Sequence, residues 1–457
     1  MIYNVFIKHF LFPLYFKKNN NSMLDRLDDL ERTQWLPREE IEKLQFERLK
    51  RLLIHSYNNV DFYRERFDSV GFNPEDFTNL KEFKKIPYLT KSDLQVYFKS
   101  LIAKNIKHTD LIHDASGGST GKPTKYFKDL RRQQERAADK IRHDRWCGWD
   151  LGEKSVLLWG AQREFEKQPS LKDRLVEKYI YRSYGFNAFD VTEEKVLVFL
   201  EKLKKIRPTM ILAYANVAYL FAKVIHDHNI DMGGLKLKGV ISSAETLTEE
   251  KREAIESAFK CKVLNRYGSR EVGLVSSECA KQEGLHVNME SVVLEIEKGG
   301  EGVDSGELGE VIVTDLWNYG MPFIRYQMGD VGVMSDHICS CGRQLPLMKS
   351  VEGRTGDFFV DSKGGLVHGE YFTHLFYGVE GVSQFQFVQE KQDLIILKIV
   401  PNEEFSDAVL EPIYEKIRLC MGDGVKVKTE ILTTSLIEDS GKFRFTISKL
   451  SGKYFNI

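Results

Sequence analysis

Ser116-Gly-Gly-Ser-Thr-Gly-Lys-Pro123 places three glycines, three hydroxyl residues and one lysine in consecutive positions. Glycines let a backbone curl until successive N–H groups point at one anion. Ser119 and Thr120 can donate to phosphate oxygens, and Lys122 adds a mobile positive charge. The chemistry this stretch suits is the grip of a polyphosphate. It is not a Walker loop. That motif needs a glycine where this chain has Ser116, and a Ser or Thr after the lysine, where this chain has Pro123. Alone, the stretch is also compatible with an ordinary surface turn.

A second group of residues suits a metal. Cys279 and His286 are followed at a distance by Cys339-Ser-Cys341-Gly-Arg343. Three thiolates and one imidazole are the donor set of a closed, structural zinc site. The competing reading is a set of buried apolar thiols beside a core histidine. Cys339 and Cys341 flank a single serine, which is poor spacing for a disulfide, and six cysteines in 457 residues do not make a disulfide scaffold. A reducing, cytoplasmic compartment is expected.

The elements that must position these residues follow from composition and pattern. Hydrophobic residues at 42% fill a large core, and 66 Lys plus Arg against 67 Asp plus Glu lack the basic excess of a nucleic-acid binder. Residues 23–100 read as helical, with a helix start at Pro37-Arg-Glu-Glu40 and a cap at Thr90 or Ser92. From 110 to 350 short apolar strands (Ser155–Trp159, Met210–Ala213, Gly239–Ser242, Val311–Thr314) are expected to alternate with helices, clearest at 192–206 and 248–259. That pattern predicts an α/β sheet with ligand loops at the strand ends. After residue 357, strands at Phe385–Val388, Leu394–Ile399 and Val425–Leu432 around a helix at 404–420 predict a small α+β domain.

Five more stretches complete the pattern: Ser243-Ala244-Glu245-Thr246, Tyr267-Gly268-Ser269-Arg270-Glu271, Arg325-Tyr-Gln-Met-Gly-Asp330, Gly353-Arg354-Thr-Gly-Asp357 and Ser440-Gly-Lys442-Phe-Arg444. With the glycine-rich loop, and in this order, they resemble the motifs of the AMP-forming adenylating enzymes, the acyl- and aryl-CoA ligases and peptide-synthetase adenylation domains. The resemblance implies a large N-terminal adenylating domain, 1–356, of mixed sheets with flanking helices and a mostly helical lead-in over 1–100. It implies a small mobile C-terminal domain, 357–457, on a hinge at Asp357. Ser116, Gly117, Gly118, Ser119, Thr120, Gly121 and Lys122 would hold the β- and γ-phosphates of ATP. Ser243, Ala244 and Glu245 would line the adenine, and Tyr267, Gly268 and Ser269 the nucleotide and acyl pocket. Asp330 and Arg354 would meet the ribose, Glu271 would ligate Mg²⁺, and Lys442 would bridge the carboxylate and the α-phosphate. Arg270 replaces a threonine that contacts the α-phosphate in the family, Thr124 stands where many relatives have lysine, and Arg444 comes one position early.

By the same resemblance the chain would attack the α-phosphate of ATP with a carboxylate, release pyrophosphate, and pass the acyl group from acyl-AMP to an acceptor. Two anions must meet, so charge neutralisation and positioning dominate. The stretch Lys43–Arg66 is similar to the phenylacetate-CoA ligase branch, and nearest to its CapK-like members, encoded with bacterial capsule and O-antigen genes. This implies CoA, or an amine or hydroxyl of a sugar or amino acid, as acceptor. An amide-forming ligase and a non-catalytic scaffold of polysaccharide assembly are the alternatives. Tyr184, Phe186, Tyr214, Asn216 and Tyr219 are candidates for the acid pocket, and Arg182 or Arg163 for an anionic substrate. The apolar run Met1–Phe16, broken by Lys8, His9 and Pro13, is too short to span a bilayer. It is expected either to pack on the body or to lie on the cytoplasmic membrane face, with Lys17 and Lys18 at its end.

Overall fold

The computed structural model describes residues 2–18, 21–115, 124–159, 175–188, 193–354, 358–376, 379–434, 436 and 445–450. The helical lead-in is present. It includes Met23–Thr33 and the long helix Arg38–Asn59, which begins directly after Pro37. Thr90 caps Lys91–Val96 in a capping box with Asp93, because its hydroxyl reaches the free N–H of Asp93 while the Asp93 carboxylate returns to Thr90.

One twelve-stranded sheet organises the described residues from 155 to 354. Its first half is parallel: β3 (Ser155–Trp159), β4 (Ser183–Asn187), β5 (Met210–Tyr214), β6 (Gly239–Ser243) and β7 (Val263–Ser269) lie in the order β4-β3-β5-β6-β7. Parallel strands are covered on both faces and so read as continuous apolar runs. β5 and β6 are buried over four of their five residues. Helices α1 (Glu193–Ile206), α2 (Ala215–Asp227) and α3 (Glu249–Phe259) supply Leu203, Phe221 and Phe259 to the core that the parallel strands share.

The expected alternation of strand and helix stops at Phe259. Between 263 and 354 the chain runs through β7, β8 (Gly273–Glu278), β9 (Leu285–Val287), β10 (Val292–Lys298), β11 (Glu301–Gly302), β12 (Leu308–Asp315), β13 (Tyr326–Ser335) and β14 (Leu347–Arg354) with no helix between them. β8–β14 all pair antiparallel, and β7 joins them by its antiparallel pairing with β8. The connections are too short to carry the crossover helix that a parallel pair requires, and turns such as Gly299-Gly300 take positive φ.

β1 (Leu111–Ala115) and β2 (Lys125–Asp129) form a separate antiparallel hairpin. Beyond residue 358, β15 (Val382–Lys391), β16 (Leu394–Pro401), β17 (Lys426–Ile431) and β18 (Thr446–Ser448) form a four-stranded sheet in the order β17-β16-β15-β18. Its apolar core runs from Phe359 to Val425. The helix expected at 404–420 is shorter: Glu411–Met421 begins with Pro412 in its first turn, and the residues before it form a 3-10 turn at Asp407–Val409. Proline suits a first turn because it lacks an N–H that would have no partner there.

Candidate functional site

The glycine-rich stretch Ser116–Pro123 lies outside the described residues, but its supports do not. Ala115 pairs with Lys125, so the strands that flank the stretch lie side by side. The hairpin is braced by the Lys128–Asp114 ion pair at 2.7 Å. Tyr126, fully buried, donates its hydroxyl to the carbonyl of Arg270 at 2.5 Å. Burial pushes the Tyr126 phenol far above its ordinary range, so it stays a neutral donor. The feet of the loop are therefore tied to the turn that carries Arg270 and Glu271.

That turn is the tip of the β7–β8 hairpin. Its carbonyls are held from the helix Leu130–Trp146: Arg136 donates to the Arg270 carbonyl at 2.6 Å, and Arg132 to the carbonyl of Val272. A Cβ at Gly268 would lie 2.2 Å from the Gly273 carbonyl, so the hairpin closes only with glycine there. Glu271 is buried, 8% exposed. A buried carboxylate is an oxygen donor suited to Mg²⁺. The sequence does not mark Arg132 or Arg136, because arginines on a charged helix read as solvated, and Tyr126 reads as one more strand aromatic.

Ser243 ends β6 and is in register with Arg266 of β7, so Ser243-Ala244-Glu245 emerges beside Tyr267 at the strand ends. Ala244 takes a positive φ of 68°, a strained choice for a residue with a Cβ. Glu245 accepts from the backbone N–H of Asn216, at the start of α2, at 2.8 Å. The indole of Trp159 stacks on Tyr214 at 4.0 Å. Across the sheet, Tyr267 donates to a carboxylate oxygen of Asp330 at 2.8 Å, and Asp330 is paired with Arg354 across β13 and β14. The structure thus joins Tyr267 to Asp330 and Arg270 to the foot of the glycine-rich loop. Arg325 does other work: it is buried on Glu295, Glu297 and the carbonyls of Lys84 and Ile86. Asp357, Lys442 and Arg163 lie outside the described residues.

One acid-pocket candidate, Phe186, and one candidate for an anionic substrate, Arg182, are engaged elsewhere. Phe186 packs on Phe199 and Phe221 within the parallel-half core. Arg182 donates to the side chain of Asn4 and the carbonyl of Gly152, both at 2.6 Å, so it fastens the N-terminal helix.

At the other end of β8 the four metal-suited residues meet. One donor atom from each of Cys279, His286, Cys339 and Cys341 lies within 4.8 Å of the others. The Cys279 and Cys339 sulfurs are 3.7 Å apart, and Cys341 Sγ is 3.4 Å from His286 Nε2. Tetrahedral zinc with Zn–S of about 2.3 Å places two sulfurs about 3.8 Å apart. The donor spacing fits the ion. Gly342 at φ 89° turns the chain between Cys341 and Arg343, and the Cys339 carbonyl accepts its N–H. Glu283 pins the turn by accepting from the N–H and hydroxyl of Ser340 and from His337. Burial, followed by the Arg343 charge, lowers His286 to about 4, so the imidazole is neutral at pH 7. Burial opposes ionisation of Cys341, but the Arg343 N–H and guanidinium outweigh it and its pKa falls. All six cysteines are free of disulfides.

Comparison with known proteins bears on the fold. A crystal structure of 2-hydroxyisobutyryl-CoA ligase in the postadenylation state superposes with a TM-score of 0.69 over 92% of each chain at 19% identity. The fold is that of the adenylate-forming enzymes. Residues 359–449 match the family model of the CapK C-terminal domain. The chain is similar to a phenylacetate-coenzyme A ligase of Thermus thermophilus, 27% identical over 81% of this chain and 83% of the relative. It is likewise similar to Protein CapK of Staphylococcus aureus, 25% identical over 89% of each. It is therefore similar to the phenylacetate-coenzyme A ligases and to CapK, and shares the fold of adenylate-forming enzymes.

Proposed function

We propose that this protein activates a carboxylic acid with ATP as an acyl-adenylate, releasing pyrophosphate, and then transfers the acyl group to a thiol or amine. The observation that carries this reading is the Tyr267–Asp330 bond at 2.8 Å, with Ser243–Glu245 leaving the neighbouring strand end and the foot of the glycine-rich loop tied to Arg270. Asp330 would accept from both ribose hydroxyls while Tyr267 holds its carboxylate in place. Ser119, Thr120 and Lys122 would hold the departing phosphates, and Arg270 would offer the α-phosphate a bidentate guanidinium. Lys442 would bring its charge between the substrate carboxylate and the α-phosphate. Mg²⁺, held by Glu271, would supply positive charge to the polyphosphate when bound.

The small domain, 357–457, is proposed as the mobile part. Its own core starts at Phe359, and the CapK C-terminal model starts at the same residue. Asp357 would be the pivot, withdrawing Lys442 after adenylation and admitting the acceptor. The Cys279, His286, Cys339 and Cys341 cluster is proposed to hold structural zinc, because four protein donors leave no open position for chemistry. CoA is the favoured acceptor, since phenylacetate-coenzyme A ligases are among the relatives. The similarity to CapK favours a place in cytoplasmic steps of surface-polysaccharide synthesis, where an amine or hydroxyl of a sugar would serve.

ATP–pyrophosphate exchange across a panel of aryl acids, uronic acids and amino acids tests the first half-reaction. Exchange with at least one acid is expected, and none with any acid, on protein that binds ATP, would leave the scaffold reading in its place. Adding CoA or amines to the active acid then separates the acceptors.

A further inference from the structure

The N-terminal run consists of three helical pieces, Ile2–Phe6, Ile7–Leu11 and Phe12–Lys18. One side of it is fastened to the body. Ile7, Phe12 and Phe16 are buried, Lys8 pairs with Asp150 at 2.6 Å, and Arg182 holds Asn4. A Cβ at Gly152 would lie 2.6 Å from the Asn4 carbonyl, so body and helix touch backbone to backbone.

The other side is apolar and open. Tyr3, Val5, Phe6, Phe10 and Leu14 are all exposed, Phe10 at 58% and Leu14 at 64%. The spacing of Tyr3, Phe6, Phe10 and Leu14 sets them along one stripe, and the Phe6 and Phe10 rings stack at 5.7 Å. A surface helix normally turns its polar face outward; this one turns aromatic rings outward. The stripe continues onto a second segment, because the Tyr3 hydroxyl donates to the Tyr179 carbonyl and Tyr181 packs on Phe12. Leu175, Tyr179 and Tyr181 are exposed there as well. Other exposed apolar residues in the described chain, such as Ile338 and Leu419, lie on other segments, and scattered single residues need no explanation.

The charges select the occupant. Residues 2–18 contain no Asp or Glu, while His9, Lys17 and Lys18 are exposed beside the stripe. The adjoining segment adds exposed Lys178 against one acid, Glu177. A second copy of this chain docked face to face would set these cations against each other with little to neutralise them. An anionic lipid surface offers both an apolar interior for the rings and negative headgroups for the lysines. No helix among the described residues is long and apolar enough to cross a membrane.

We infer that the exposed face of residues 2–18, with Leu175, Tyr179 and Tyr181, docks the protein reversibly on an anionic membrane surface. This inference is independent of the proposed chemistry. Its test is co-sedimentation of the full chain with vesicles of phosphatidylcholine alone and of phosphatidylcholine mixed with phosphatidylglycerol. Binding to the anionic vesicles is expected, weakening as salt rises. Phe6→Ser/Phe10→Ser/Leu14→Ser should weaken it by about tenfold or more. Lys17→Gln and Lys18→Gln should each weaken it by about fivefold. Leu419→Ser, exposed elsewhere, should leave binding unchanged. Thermal unfolding and ATP–pyrophosphate exchange should be unchanged in the triple variant, which separates failure here from failure of the catalytic reading. Absence of vesicle binding by the unaltered chain, equal binding by the triple variant, or a dimer in light scattering that the triple variant makes monomeric would overturn it.

Discussion

The tip of the β7–β8 hairpin and the far end of β8 are separated by a strand of six residues, yet they offer opposite chemistry. At the tip stand Glu271, Tyr267 and, across the sheet, Asp330: oxygen donors suited to a hard cation and to hydroxyls. At the far end stand Cys279, Cys339, Cys341 and His286: soft donors in a closed set. They are also held differently. The tip is gripped from outside by Arg132, Arg136 and Tyr126, each bonding to its backbone carbonyls. The cysteine end is shaped by its own turn, through Gly342 and the Glu283–Ser340 contacts. One strand thus connects a site whose donors are displayed by neighbouring elements to one that, with zinc bound, would hold its elements together. Damage to the first should cost reaction rate, and damage to the second should cost stability.

The contrast breaks most sharply through Lys442→Ala. Its loss should lower ATP–pyrophosphate exchange by about 10³-fold while zinc content and thermal unfolding stay as they were. Acyl transfer from supplied acyl-adenylate should survive, and loss of both half-reactions would remove Lys442 from its assigned place. Glu271→Gln keeps the volume but removes the charge. Exchange should fall by about 10²-fold, and raising Mg²⁺ should recover part of it. Cys341→Ser acts at the other end. Zinc measured on purified protein should drop, and a hundredfold loss of zinc affinity corresponds to about 2.7 kcal/mol of stability. Chelation should lower the unfolding temperature of the unaltered chain and leave that of Cys341→Ser nearly fixed. An unaltered chain that carries no zinc and ignores the chelator would return these residues to the class of buried thiols.

The two ends were not equally legible from sequence. The metal-suited set shows in residue type, since three cysteines and a histidine around Cys339-Ser-Cys341-Gly342 make up a zinc donor set. Strands β3, β5 and β6 show as apolar runs, and the Thr90 cap shows in its chemistry. The supports of the tip do not show. The helix Leu130–Trp146 reads as a charged surface helix, yet Arg132, Asp139, Arg142, His143 and Asp144 are almost wholly buried. Their cost of burial is offset by partners distant in sequence: Arg132 with Asp315 at 2.5 Å, Arg142 with Glu290 at 2.7 Å, and Asp144 with Arg266 at 2.6 Å. Local periodicity carries no record of such pairs. The antiparallel run from β8 to β14 likewise reads in the sequence as continued alternation of strand and helix. Short apolar runs look alike in parallel and antiparallel sheets, and only the length of the connections separates them.

The smallest expected effect is the most discriminating. Tyr267→Phe keeps the ring and removes only the hydroxyl that Asp330 accepts from. Both residues are half-buried. Water can take the vacated position on the carboxylate, so the loss should be about 1 kcal/mol, near the lower end for a bond to a charged acceptor. If Asp330 holds the ribose and Tyr267 orients Asp330, the loss should appear as a rise in KM for ATP of about fivefold, with kcat nearly unchanged. Asp330→Asn should raise KM further in the same direction, and the double variant should then show less than the sum of the two, because both act on one contact. A fall in kcat of tenfold or more with KM steady would place the Tyr267 hydroxyl at the reacting atoms instead. That outcome would move the centre of chemistry from the Glu271 turn toward β13, and the division of labour between the tip and the far end of β8 would have to be redrawn.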